Sequence, residues 1–169
     1  NVRYVISPEA IDPTPPFLRE VHRGSGVLYE NLLALPRVMV LGAYRVVTPG
    51  RAILDSIATG QVESSALTLL EQDPGIALGP VTGATAEISA YHLNDVTVNV
   101  TTPGPGILRL ADAWYPDWSV TVDGKPASLL RADYLLRAVV VPAGTHQVVF
   151  RFASPSVQRG LQLSIASLV

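Results

Sequence analysis

Cysteine is absent from the 169 residues, so no disulfide and no thiolate-held metal can form. The compartment stays open on that ground alone. Charge is scarce: Asp, Glu, Lys and Arg make up 15% of the chain and the formal net charge is −2. A nucleic-acid footprint needs clustered Lys and Arg, so nucleic acid is excluded as a partner. Long apolar runs are also lacking. The apolar tract at 160–169 falls well short of the roughly 20 residues that span a bilayer. The three histidines, His22, His92 and His146, stand far apart with no neighbour at metal-ligand spacing. Among the glycines there is no dinucleotide fingerprint, phosphate loop or nucleophile elbow, so the sequence implies no cofactor and no serine hydrolase.

Hydrophobic residues, by contrast, reach 48% and the mean hydropathy is positive, which is high for a free-standing soluble domain. A chain of this length can bury about 70% of its unfolded surface without staples. Residue 1 is Asn, and no basic-then-apolar leader follows. The expectation is a piece of a longer polypeptide.

The segment from Trp114 to Phe152 organises the rest. Trp118, Val120 and Val122 alternate with Ser119, Thr121 and Asp123, the period of a half-buried strand. Asp123-Gly124 suits a type I′ turn, where both central residues need positive φ. A short return run follows over 127–131, then a longer apolar run over 134–141 that stops at Pro142-Ala143-Gly144. His146, Val148, Phe150 and Phe152 share one face of the next strand. Three tight connections predict neighbouring antiparallel strands, because parallel ones need long crossovers.

Upstream, short strands are expected at 2–6, 27–30, 38–41, 44–47 and 66–70, with a proline-rich lead-in at 7–16 and a turn at 19–26. Thr48-Pro49 reads as the start of a helix, Thr as N-cap and Pro at the first position. Ile53, Leu54, Ile57 and Ala58 form its apolar face, and Gly60 fits the C′ position. Residues 85–91 and 96–101 alternate around Leu93-Asn94-Asp95 and predict a hairpin. Another strand is expected at 107–111. Leu161, Ile165, Leu168 and Val169 fit one helical face, either the first turns of a membrane helix or a last core element. The fold predicted is mainly β: a two-sheet antiparallel β-sandwich, jelly-roll or Ig-like, with one short helix near 49–59 and room for a second at the C terminus. Residues 1–153 form that domain and 154–169 the terminal element.

Chemistry is sparse. Asp112 and Asp117 flank Trp114-Tyr115, and Asp133 lies between Arg131 and Arg137; turns and ion pairs account for them better than a general acid with its base. The sharpest ligand candidates are Trp114, Tyr115, Asp117, Arg131 and Asp133: aromatic faces stack on sugar rings while neighbouring Asp or Arg bond the hydroxyls. Packing is nevertheless the favoured reading: the strand phase assigns Trp118 to the core, and Trp114 and Tyr115, beside Pro116, pack across the strand corner. No catalytic residue and no metal ligand is assigned.

Tyr29-Glu30-Asn31, Leu35-Pro36-Arg37, Trp114-Tyr115-Pro116-Asp117-Trp118, Val122-Asp123-Gly124-Lys125, Arg131-Ala132-Asp133-Tyr134, Arg137-Ala138-Val139 and Val141-Pro142-Ala143-Gly144-Thr145-His146 occur in that order. Together they resemble the C-terminal part of the YfhO-like bacterial membrane proteins, over almost the whole chain. The family pattern usually has Gly where this chain has Asp117, which still suits a turn. The resemblance implies a multi-spanning, lipid-phosphosugar-dependent glycosyltransferase that decorates cell-envelope polymers. It implies that this chain is the non-catalytic extracytoplasmic domain before the last membrane helix, with residues 161–169 opening that helix. The family's catalytic acid belongs to an N-terminal loop that nothing here matches. The implied partners are the membrane part of the same polypeptide and a glycan or cell-envelope polymer, at the extracytoplasmic face of the cell membrane. Two other readings stay open: a stand-alone carbohydrate-binding module, and a purely structural or interaction domain.

Overall fold

A computed structural model describes residues 1–60 and 62–167, with Gln158 described by its backbone alone. The chain divides into two compact units, Asn1–Arg37 and Val38–Val169. The last strand ends at Phe152, just before the expected terminal element at 154–169.

In the first unit β1 (Tyr4–Ser7), β2 (Leu18–Arg23) and β3 (Val27–Asn31) form an antiparallel sheet in the order β1-β3-β2. Val27 and Tyr29 alternate inward and are buried. The Tyr29 hydroxyl accepts the Ile11 backbone N–H at 3.0 Å, which ties down the proline-rich lead-in. Strand β2 lies where a turn is expected. It buries no face and is held by ladder bonds to β3, so it carries no hydrophobic alternation to read.

The second unit holds two sheets. One orders β11 (Lys125–Ala127), β10 (Trp118–Val122), β14 (Gly144–Phe152), β8 (Asp95–Thr102) and β7 (Thr85–Tyr91). The other orders β4 (Val38–Leu41), β9 (Gly106–Ala113), β13 (Leu136–Val141), β12 (Leu130–Ala132), β6 (Thr68–Leu70) and β5 (Tyr44–Val46). Pairing is antiparallel except between β5 and β6, which are joined through the helix α1 (Arg51–Ala58). The molecule is thus mainly β, with three sheets and two short helices.

Both sheets of the second unit feed one buried cluster. Val96, Val98, Val100, Val120, Val148 and Phe150 come from the five-stranded sheet; Val38, Leu108, Leu110, Val139 and Val141 come from the six-stranded one. Each such side chain contributes about 1.5–3 kcal/mol when fully buried. Truncating Phe150, which is fully buried, would cost about 3–5 kcal/mol.

The hairpins expected at Leu93-Asn94-Asp95 and at Asp123-Gly124 form, the latter with φ of 51° and 76° at its two residues. Two other expectations need correction. The turn at Pro142-Ala143-Gly144 does not pair its flanking strands; it carries the chain from one sheet to the other. Val139 and Val141 then face the same core as Val148 and Phe150 instead of lying beside them. The run 127–131 is likewise split, β11 pairing with β10 and β12 with β13.

The α1 N-cap is Gly50, not Thr48, and makes no side-chain cap bond. A Cβ there would stand 2.6 Å from the Glu71 carboxylate, so the glycine leaves room for that side chain. Gly60 takes φ +67° just beyond the helix, as expected. Only Ile53 of the expected apolar face is buried; Leu54 and Ile57 are exposed. The second helix, α2 (Pro155–Ala166), starts at a proline, which suits the first turn. Its described side chains are all exposed, so it is not a core element. Leu168 and Val169, assigned to its apolar face, lie outside the described residues. No helix among the described residues is long and apolar enough to cross a membrane.

Candidate functional site

Strand pairing brings together residues that the sequence separates. β12 pairs with β6 through Ala132 and Leu70, so Arg131 on β12 meets Glu71, the residue after β6. The Arg131 Nη1 stands 3.3 Å from Glu71 Oε1. Its Nε donates to the Tyr134 carbonyl across the β12–β13 turn. The guanidinium lies over two rings, 5.4 Å from the Trp114 centroid and 4.7 Å from that of Tyr134. Trp114 reaches this place because it follows β9 directly and its backbone N–H donates to the Leu135 carbonyl at 2.6 Å.

Glu71, Trp114 and Arg131 line a cavity of about 220 Å³, closed on its apolar side by Leu129 and Leu130. Trp114 Nε1 and Glu71 Oε1 are both covered and make no hydrogen bond among the described residues, and Oε1 is held in the ion pair with Arg131. The 3.3 Å contact of Oε1 with Arg131 is an ion pair without hydrogen-bond geometry.

Asp133 is elsewhere in character. Its Oδ1 accepts the Leu69 N–H at 2.8 Å and the Thr68 hydroxyl at 3.1 Å, and its Oδ2 pairs with Arg109 at 2.7 Å. Arg109 in turn donates to the Ser64 carbonyl. Asp133 and Tyr134 both hold positive φ, 46° and 71°. Asp tolerates this region, an aromatic residue much less so, and the bonds from Asp133 to β6 hold the turn in place. The ion pair expected of Asp133 exists, but its partner is Arg109 and neither flanking arginine. Asp112 pairs with buried Arg137 at 2.8 Å and accepts the Tyr91 hydroxyl. The Arg137 guanidinium lies 3.7 Å from the Trp118 ring centre.

The candidates therefore separate. Trp114 and Arg131 converge on one cavity. Tyr115 is exposed and tilts against Phe152, at 6.2 Å between centroids, away from Trp114's cavity. Asp117 serves the corner through its backbone carbonyl, which accepts the Ala153 N–H. Trp118 packs against the core, as its strand phase predicts. Glu71 was missed, and no local pattern points to it: its meaning depends on a pairing between strands sixty residues apart. The Gly50 that makes room for it is the one local trace.

A second titratable pair lies at the far end of the five-stranded sheet. His146 Nδ1 stands 2.7 Å from Asp123 Oδ2, and Asp123 Oδ1 accepts the Gln147 N–H. The hydrogen bond to Asp123 raises the imidazole above its ordinary pKa, while the bond to His146 holds the Asp123 carboxyl below the usual range. No protein-family model, curated protein or solved structure matches the chain.

Proposed function

We propose that this chain is the non-catalytic extracytoplasmic domain of a YfhO-like membrane protein, a glycosyltransferase acting on cell-envelope polymers. In this reading its larger unit is a two-sheet β-sandwich, of jelly-roll or Ig-like kind, that recognises or positions the glycan acceptor. The ordered motifs from Tyr29 to His146 support the family. The observation that supports recognition is the cavity of about 220 Å³ lined by Trp114, Arg131 and Glu71, an aromatic side chain beside a charged pair. A neighbouring hollow of about 360 Å³ shares Gln72 and Leu130 with it, which leaves room for a polymer to continue. Sugar transfer by this chain alone is expected to be nil. Binding of purified cell-envelope glycopolymer to the immobilised chain tests recognition. Saturable binding is expected, and a flat response across the polymers of the source envelope would end it.

A second reading, a structural or interaction domain, has its own support in the exposed Val157, Leu161 and Ile165 of α2, one turn apart on one stripe. It predicts no glycan affinity, and association with detergent micelles that is lost when these three become Ser.

A further inference from the structure

The two edges of the first unit's sheet are built differently. Edge β2 carries Arg19, Glu20, His22 and Arg23, and a register shift between Glu20 and His22 interrupts its ladder. Charges and bulges of this kind keep an edge from adding another strand. Edge β1 has no such break: Tyr4, Val5, Ile6 and Ser7 run in unbroken register along β3. The Asn31 N–H donates to the Arg3 carbonyl at 2.7 Å, so by antiparallel alternation Arg3, Val5 and Ser7 turn their backbone groups to β3. Tyr4 and Ile6 turn theirs outward, where they have no partner among the described residues. Both side chains are exposed, Ile6 at 80%. Such a row of open donors and acceptors, flanked by apolar side chains, is a template for one more extended strand.

The edge is complementary to itself. Two copies of β1 laid antiparallel about Val5 put Tyr4 opposite Ile6 of the second copy on both sides of the two-fold axis. These are the residues whose backbone groups point outward, so each such pair can exchange two N–H···O=C bonds. Their side chains make an aromatic pair with a β-branched partner, a favourable cross-strand match. Arg3 falls opposite Ser7 of the second copy, so no like charges meet. Leu28 lies beside Ile6 on β3 and carries the apolar row into each copy. We infer that β1 is a self-association edge, which joins two copies of this chain into one continuous six-stranded sheet through Tyr4 and Ile6. This goes beyond the glycan reading and does not depend on it. A strand of four residues makes an interface below the roughly 1,200 Å² of standard complexes, so the dimer is weak and forms as concentration rises.

Sedimentation of the intact chain from about 1 to 1,000 μM should show the mean mass climbing from 18.0 kDa toward twice that value. Ile6→Pro removes only an outward N–H, which an edge strand tolerates, so it should stay at the mass of one copy with an unchanged circular dichroism spectrum. Should that variant fail to fold, Tyr4→Lys keeps the ladder and sets a charge against Ile6 of the second copy; it should weaken association at least about fivefold. The chain has no native cysteine, so Val5→Cys reports the register. At the axis the two copies of residue 5 form a non-hydrogen-bonded pair, about 4.5 Å between Cα atoms and within disulfide reach. Mild oxidation should cross-link Val5→Cys into a dimer and leave Val21→Cys, on the other edge, uncross-linked. A mass that stays at one copy throughout overturns the proposal. So does a dimer that survives Tyr4→Lys undiminished, one that fails to cross-link through Val5→Cys, or one that cross-links as readily through Val21→Cys.

Discussion

Arg131 and Asp133 stand two residues apart on one strand and its turn, each paired with a residue of opposite charge, and the two pairs do different things. Asp133 and Arg109 are almost wholly covered, and both carboxylate oxygens of Asp133 are used. Arg131 and Glu71 are half-buried beside a cavity, and the pair lacks hydrogen-bond geometry. The first pair locks β6, β9 and the β12–β13 turn to one another. The second borders a cavity. The chemistry of the side chains is the same; what differs is how far each pair is covered and how completely its hydrogen-bonding valences are filled.

Breaking the closed pair should have the largest effect. Asp133→Asn leaves Arg109 charged and buried without its counter-charge, and removing one partner of such a pair costs about 3–5 kcal/mol. Urea unfolding should show the midpoint fall with little change in slope. The open site should answer in the opposite way. Trp114→Phe removes a covered N–H that has no partner, so stability should hold within about 1 kcal/mol while sugar affinity falls. Calorimetry of unfolding beside a sugar titration separates the two.

Gly50→Ala sharpens the contrast further. The new Cβ would meet the Glu71 carboxylate at 2.6 Å, and that flexible side-chain end would swing away. The expected result is a modest change in melting temperature and a clear loss of sugar binding.

A smaller effect belongs to His146. Its folded pKa lies above the ordinary 6.5, so its share of stability is complete below that value and fades as pH rises through the raised pKa. Asp123 is depressed below 3.8, so its share is present above that value and is lost as pH falls through the lowered pKa. The pair supports the fold best between those limits. His146→Gln should flatten the decline of melting temperature on the alkaline side. The smallest effect is expected in the first unit, where Glu30 pairs with Arg3 and Arg19 at the surface. Salt screens such pairs, and Glu30→Gln should leave a melt at moderate ionic strength unchanged.

Elements with their own local signal are legible in the sequence. Val120 and Val122 with Asp123-Gly124 specify a strand and its turn, and Val96, Val98 and Val100 specify the other side of a hairpin, because alternation and positive φ are properties of adjacent residues. The change of sheet at Pro142 has no such signal, since a proline-glycine turn looks the same whether its strands pair or part. β2 is hidden because it buries no face. At the candidate site, Trp114 and Arg131 stand out by residue type, and the structure unites them. Tyr115 and Asp117 share that segment but point to the Phe152 corner. Glu71 becomes visible only once β6 lies beside β12, a contact between distant parts of the chain.

Thermal melting with and without a neutral methyl hexopyranoside, run in parallel on the native chain, Asp133→Asn and Trp114→Phe, tests the division of labour most directly. A ligand that binds only the folded state raises its melting temperature in proportion to occupancy. The account predicts a low melting temperature for Asp133→Asn that still rises with sugar, and a native-like one for Trp114→Phe that does not. A sugar-dependent rise that survives Trp114→Phe, or vanishes with Asp133→Asn while that variant remains folded, would contradict it.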